Sequence, residues 1–140
     1  CGSADRVLMN PPFHDARRHN VSPDARRRLA HAGGPGLLPR WIASAAYLLK
    51  PRGVLTLICR ADDVADVLAA LAGEFGAVAV LEVAPREGAP AIRVLVRAVK
   101  SGSGAAVTMP GLTLNDRLGR PSVAAEAVLR GGGALALAKS

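Results

Sequence analysis

Apolar and polar positions divide this chain into short blocks of differing period. The apolar run DRVLMN (5–10) has strand length and stops at Pro11-Pro12. Proline removes a ladder donor, and the second proline holds the first in extended geometry, so the strand is expected to end in a rigid extended turn. In NVSPDARRRLAHAG (20–33), Ser22 stands as an N-cap, Pro23 at the first helical position and Asp24 in the first turn, which together mark a helix start. After the break GGPG (33–36), the stretch 37–50 reads as a helix with Trp41, Ala45, Leu48 and Leu49 on one side, ended by Pro51-Arg52-Gly53. VLTLICR (54–60) is apolar on both faces, as buried parallel strands are. From 62 to 75, Val64, Val67, Leu68, Leu71, Ala72 and Phe75 keep helical spacing behind the capping pair Asp62-Asp63. Two strands follow, 77–85 and 91–99, joined by the polar loop REGAP. The second sets Arg93 and Arg97 against Ile92, Val94 and Val96, which predicts an antiparallel strand at or near a sheet edge with one face buried. SGSGAA (101–106) reads as a flexible joint, 107–114 as one more strand, and 122–130 as a short helix capped by Ser122 and closed by Gly131.

The order is strand, one or two helices, strand, helix, strand, strand. Such alternation implies a parallel sheet covered by helices, here ending in a β-hairpin at the sheet edge. No glycine-rich strand-to-helix turn of the nucleotide-binding kind is present. GGPG lies between two helices, and Gly102-Ser103-Gly104 opens no helix. The chain has 140 residues, half of them hydrophobic, enough for one domain with a real core. Aromatics make up only 3%, so that core must be built from Ala, Val and Leu. The net charge of +7 suits a polyanionic partner such as RNA, and suits equally a chain that uses Arg on its solvated faces. The two cysteines, Cys1 and Cys59, are far apart, and Cys59 falls in an apolar strand as a buried thiol. With His19 and His31 they show no metal spacing, so no metal is expected, and their use fits a reducing cytoplasm. No apolar run approaches the roughly 20 residues of a membrane span, and no membrane association is expected.

The chemistry concentrates in NPPF (10–13), at the end of the first strand. It resembles the Asn/Asp/Ser-Pro-Pro-aromatic motif of the S-adenosylmethionine-dependent amino-methyltransferases, which methylate exocyclic amines of bases or the side-chain amide of glutamine. An aromatic amine is a poor nucleophile because its lone pair is delocalised into the ring. The resemblance implies that the Asn10 side-chain oxygen and the Pro11 carbonyl each accept one N–H bond, favouring a more tetrahedral nitrogen aimed at the methyl group. That is positioning and charge stabilisation. Pro12 helps hold the acceptors rigid, Asn10 also meets the methionine end of the cofactor, and Phe13 stacks on the base, typically worth ~1–3 kcal/mol. The base must be unstacked or flipped to arrive. The order of segments over 5–99 matches strands four to seven of that fold, and LLKPRGVLTLI (48–58) resembles its helix-end-to-strand-five passage. The fold expected is therefore α/β: the C-terminal half of a Rossmann-like class I methyltransferase sheet, ending in an antiparallel hairpin.

A narrower resemblance covers almost the whole chain. MNPPFHD, SPDARRRLAHA, APAIRVLVRAVK and LTLNDRLGRPSVAAEAVLRG are similar to the bacterial tRNA1(Val) (adenine37-N6)-methyltransferase family. That resemblance implies a tRNA adenine as substrate, with His14 lining the pocket and Arg17, Arg18, Arg26, Arg27, Arg28 and Arg40 as candidate phosphate contacts. It also implies that residues 1–140 are the later portion of one methyltransferase domain, and that the cofactor-binding half, which precedes strand four, lies outside them. On that reading the 140 residues alone neither bind S-adenosylmethionine usefully nor turn over, and the sheet edge beside strands four and five is left open to dimerisation or strand swapping. The rivals are a protein-glutamine methyltransferase and a non-catalytic basic module that binds RNA.

Overall fold

The computed structural model describes residues 2–12 and 36–139. In chain order these form β1 (Ala4–Met9), α1 (Leu37–Leu48), β2 (Leu49–Arg60), a 3-10 turn (Ala61–Asp63), α2 (Val64–Leu71), β3 (Phe75–Arg86), β4 (Arg93–Lys100), β5 (Val107–Thr108), β6 (Leu112–Asn115), α3 (Val123–Leu129) and a closing 3-10 turn (Ala136–Lys139). The helix expected over 20–33 lies outside the described residues.

One six-stranded sheet carries everything else, in the order β1-β2-β4-β3, with β5 and β6 both pairing the far side of β3. β1 and β2 run parallel, with Val7 opposite Leu55 and Met9 opposite Leu57. β4 runs antiparallel to both β2 and β3. β4 is therefore an interior strand, and the hairpin it makes with β3 does not end the sheet. The alternation along β4 reported the faces of the sheet rather than its edge. Val94, Val96 and Ala98 are buried under the helices, while Arg93 is exposed and Arg97 half-buried on the other face. The remaining side of β1 has no strand beside it among the described residues.

The main core fills the space between the sheet and α1 and α2. Ile42, Ala45 and Ala46 of α1 and Val67 and Leu71 of α2 meet Leu55, Leu57, Cys59, Val94 and Val96. Each fully buried Leu contributes about 1.5–3 kcal/mol. The buried face of α1 is thus Ile42, Ala45 and Ala46, and Trp41 and Leu48 are exposed. α1 also stops at Leu48, because the chain turns directly into β2. Gly53 belongs to that passage: a Cβ there would stand 2.8 Å from both Leu49 Cδ2 and Lys50 O, so only glycine lets Leu49 close under the strand. α2 is shorter than its apolar spacing suggests. Gly73, at φ +111°, turns the chain, and Phe75 begins β3. A second, smaller cluster on the opposite face joins Ala79, Leu81, Val83 and Leu137. There the stretch 107–114 is split into β5 and β6 with Pro110-Gly111 between them, since proline cannot donate to a ladder. Ser122 caps α3 as expected, its Oγ accepting from the Ala125 N–H at 3.0 Å, and Gly131 closes the end at φ +77°.

Lys100, the last residue of β4, stitches sheet to helix. Its Nζ donates to Ala46 O at 2.5 Å and to Leu49 O at 2.8 Å, which satisfies carbonyls at the end of α1 and places a cation where the helix dipole favours one. Hydrogen bonds from a charged donor are worth about 1.5–3 kcal/mol, so Lys100→Met is expected to destabilise by about that much. Urea unfolding followed by circular dichroism should show a lower midpoint with an unchanged slope. An unchanged midpoint would remove Lys100 from this role.

Candidate active site

β1 and β2 end together at one edge of the sheet, and the first rung of β4 meets them there. Because Met9 pairs with Leu57 in parallel register, Asn10 emerges beside the last residues of β2. Arg93, opening β4, stands opposite Arg60, closing β2. Together Asn10, Pro11, Ile58, Cys59, Arg60 and Arg93 line a cleft of about 240 Å³. A cleft at the carboxyl ends of parallel strands is where open α/β sheets place ligands, because loops leave the sheet there and backbone groups are not all spent on the ladder.

Of the residues singled out from the sequence, Asn10 and Pro11 share this cleft, Asn10 exposed and Pro11 buried. Pro12 is exposed and outside the lining. Arg40 sits exposed on α1, also outside it. Phe13, His14, Arg17, Arg18, Arg26, Arg27 and Arg28 lie outside the described residues. The lining adds four residues not assigned to a site from the sequence, Ile58, Cys59, Arg60 and Arg93, of which the two arginines carry charge. One signal for them was present: Arg93 fell on the polar face of an alternating strand. The register that sets it against Arg60 was not readable from the pattern.

The electrostatics of the cleft are basic. Arg93 Nη1 donates to Ile92 O at 3.1 Å, and Arg60 Nη2 lies 3.9 Å from Asp62 Oδ2. Cys59 is buried, and its thiol is pushed up from 9.0 to about 11, first by burial and then by the nearby carboxylate of Asp63. It is therefore a protonated, inert thiol at neutral pH and a wall of the cleft, as its place in an apolar strand implied. The described lining offers an amide, guanidinium donors and apolar surface, but no carboxylate or imidazole. Such a set positions a neutral, flat, hydrogen-bonding group and attracts negative charge. None of these lining residues could bind the ribose hydroxyls of S-adenosylmethionine as a carboxylate does, and Asn10 is the one neutral side-chain acceptor among them. Among the described residues no helix is long and apolar enough to cross a membrane.

Comparison with known proteins places the fold. No protein-family profile and no curated protein sequence matches the chain. Among solved structures it is similar to a protein from Agrobacterium tumefaciens described as a predicted O-methyltransferase, at a TM-score of 0.73 and 25% identity. The match covers 94% of this chain and 53% of that one, so the chain spans about half the length of this relative. The architecture is thus a mixed α/β, Rossmann-like methyltransferase fold, and the chain corresponds to a part of it.

Cys59 gives this edge of the sheet a signature in pH. A thiol with a raised pKa in the folded state keeps its proton longer than in the unfolded chain. Between pH 9.0 and about 11 the folded state binds more protons, so stability falls as pH rises through that window. The loss attributable to this group is of the order of 2–3 kcal/mol at its upper end. Urea unfolding at a series of pH values should show a smaller alkaline loss for Cys59→Ala than for the parent chain. Equal losses would mean that the thiol is not held neutral by its surroundings.

Proposed function

We propose that this chain is the substrate-facing part of an S-adenosylmethionine-dependent N-methyltransferase acting on an exocyclic amine, with adenine N6 in tRNA as the preferred target. The observation that carries the reading is Asn10-Pro11 at the carboxyl end of β1, opening into a cleft on a methyltransferase-like sheet. S-adenosylmethionine, when bound, supplies an electrophilic methyl group. The chain's own part is to present the amine. Asn10 Oδ1 and the Pro11 carbonyl accept its two N–H bonds, which draws the lone pair out of conjugation and fixes its direction. On this reading Phe13 is to stack on the base, His14 to contribute to the substrate pocket, and Arg17, Arg18, Arg26, Arg27 and Arg28 to hold the RNA backbone. The nitrogen then releases its extra proton to water, so no dedicated base is needed. On this reading the described lining does not hold the nucleoside end of the cofactor, since it offers no carboxylate for the ribose hydroxyls, and the 140 residues alone are expected not to turn over. The likeness to a chain almost twice as long supports this division.

A second reading comes from the description of that relative: transfer to oxygen. A hydroxyl acceptor must lose its one proton as it attacks, and this calls for a base or a metal. The described lining, with an amide and two guanidinium groups, favours the amine.

Calorimetry with S-adenosylmethionine, on the 140-residue chain and on the complete gene product, tests the division of labour. Binding by the complete product alone is expected. Methylation of bulk tRNA, followed by nuclease digestion and mass spectrometry, should then yield N6-methyladenosine. Asn10→Ala should cut kcat by about 100- to 1,000-fold, the usual cost of one preorganised group at a reacting centre. Methylation of a glutamine peptide or of a hydroxyl instead would overturn the choice of acceptor. No cofactor binding by either protein would overturn the class and leave a basic RNA-binding module.

A further inference from the structure

The pairing of Arg60 with Arg93 is unexplained by packing. They are direct partners on the final rung of the β2–β4 ladder. Directly opposed residues in an antiparallel pair point to the same face, and like charges so placed are destabilising. On the same face the next rung is Ile58–Leu95, both apolar and half-buried, and the one beyond it is Thr56–Arg97, a single cation opposite a neutral partner. At the last rung the chain instead sets two guanidinium groups side by side, and both line the cleft of Asn10 and Pro11. They also line the adjoining hollow with Ala61, Asp62, Ala91 and Ile92, so the two depressions share one basic lip. Among the described residues neither arginine makes a close ion pair. Arg93 donates to the carbonyl of its own neighbour, and Arg60 reaches only 3.9 Å from Asp62, whose side chain is 73% exposed.

We propose that Arg60 and Arg93 form an oxyanion subsite that takes a phosphate of the substrate nucleotide. The bound phosphate removes the repulsion between them and fixes how the base approaches Asn10. The proposal rests on the reading of a nucleotide amine as the acceptor and adds where its phosphate is held. The guanidinium fork matches phosphate oxygens two at a time, so adjacent forks on one rung can address one phosphate from two directions. Rigid strands position such a pair better than loops do.

The test is nuclear magnetic resonance of the chain with labelled arginine Nε–Hε groups, titrated with adenosine, adenosine monophosphate and inorganic phosphate. The monophosphate and phosphate should shift the Arg60 and Arg93 signals, and the monophosphate should bind about tenfold more tightly than adenosine. Arg60→Gln and Arg93→Gln should each remove most of that advantage. Arg130→Gln, just past the end of α3, should change nothing. Equal affinity for adenosine and its monophosphate, with no response of the two arginines to phosphate, would overturn the proposal. The parent chain alone decides this if a variant fails to fold. Failure of the amine reading looks different: adenosine would leave the Asn10 amide signal unmoved while phosphate still shifted both arginines.

Discussion

The pairing of β2 with β4 sets the geometry of this protein. Seven successive rungs, from Val54–Val99 to Arg60–Arg93, fix β4 antiparallel in the interior of the sheet. Alternate rungs put Leu55, Leu57 and Cys59 with Ala98, Val96 and Val94 under the helices. A slip by one residue would turn that set to the opposite face and drive charged side chains into the core, so the register is strongly specified. β1 reads its position from β2, and β3 reads its own from β4. Asn10 meets Arg60 and Arg93 because the β1–β2 and β2–β4 pairings both hold.

That ladder changes character at its end. Its helix-facing rungs are apolar and buried, and its last rung carries two cations beside an exposed amide. A sequence chosen for stability alone would not place them so. Local rules of charge and pairing are broken where a protein binds something, and the neighbouring buried rungs supply the stability that tolerates the break. Cys59 belongs to the supporting side of this boundary. It forms a wall of the cleft, yet burial keeps its thiol neutral, so it contributes shape and no charge.

Much of the architecture was legible in the order and period of the apolar blocks. β1, β2 and the two helices between β1 and β3 that the structure describes lie close to where the pattern placed them, and Ser122 caps α3 as its position implied. What the pattern could not carry is lateral order. Alternation in β4 reports a covered and an uncovered face, and an interior strand of a sheet with one open face gives the same signal as an edge strand. The rotation of α1 was likewise misjudged. Trp41 and Leu48 are more hydrophobic than Ala45 and Ala46, but close approach of the helix to the sheet favours the two alanines beside Ile42, and Trp41 and Leu48 stay outside. The site was half legible. Asn10 and Pro11 announce themselves through two prolines at a strand end, whereas Arg60 and Arg93 are thirty-odd residues apart and acquire meaning only in register.

The same distinction applies to the net charge. A surplus of seven positive charges says nothing about where the field is strong. In the C-terminal part, arginines meet carboxylates: Arg117 with Glu87 at 3.2 Å, Arg120 with Asp116 at 2.9 Å, Arg130 with Glu126 at 2.7 Å. Such exposed pairs add little to stability, but they cancel charge locally. Asp116 shows this balance, since the Arg120 backbone N–H, the Leu118 N–H and the Arg120 side chain hold its carboxyl below the usual range. At the end of the β2–β4 ladder compensation is weaker, with Asp62 3.9 Å from Arg60 and largely in solvent. Field strength at a cleft depends on such local imbalance and on the low-dielectric walls around it, more than on the total. Among the described residues, the basic character of the chain is therefore most a statement about recognition at that end of the ladder, where weakly compensated guanidinium groups, an amide and a proline turn share one opening.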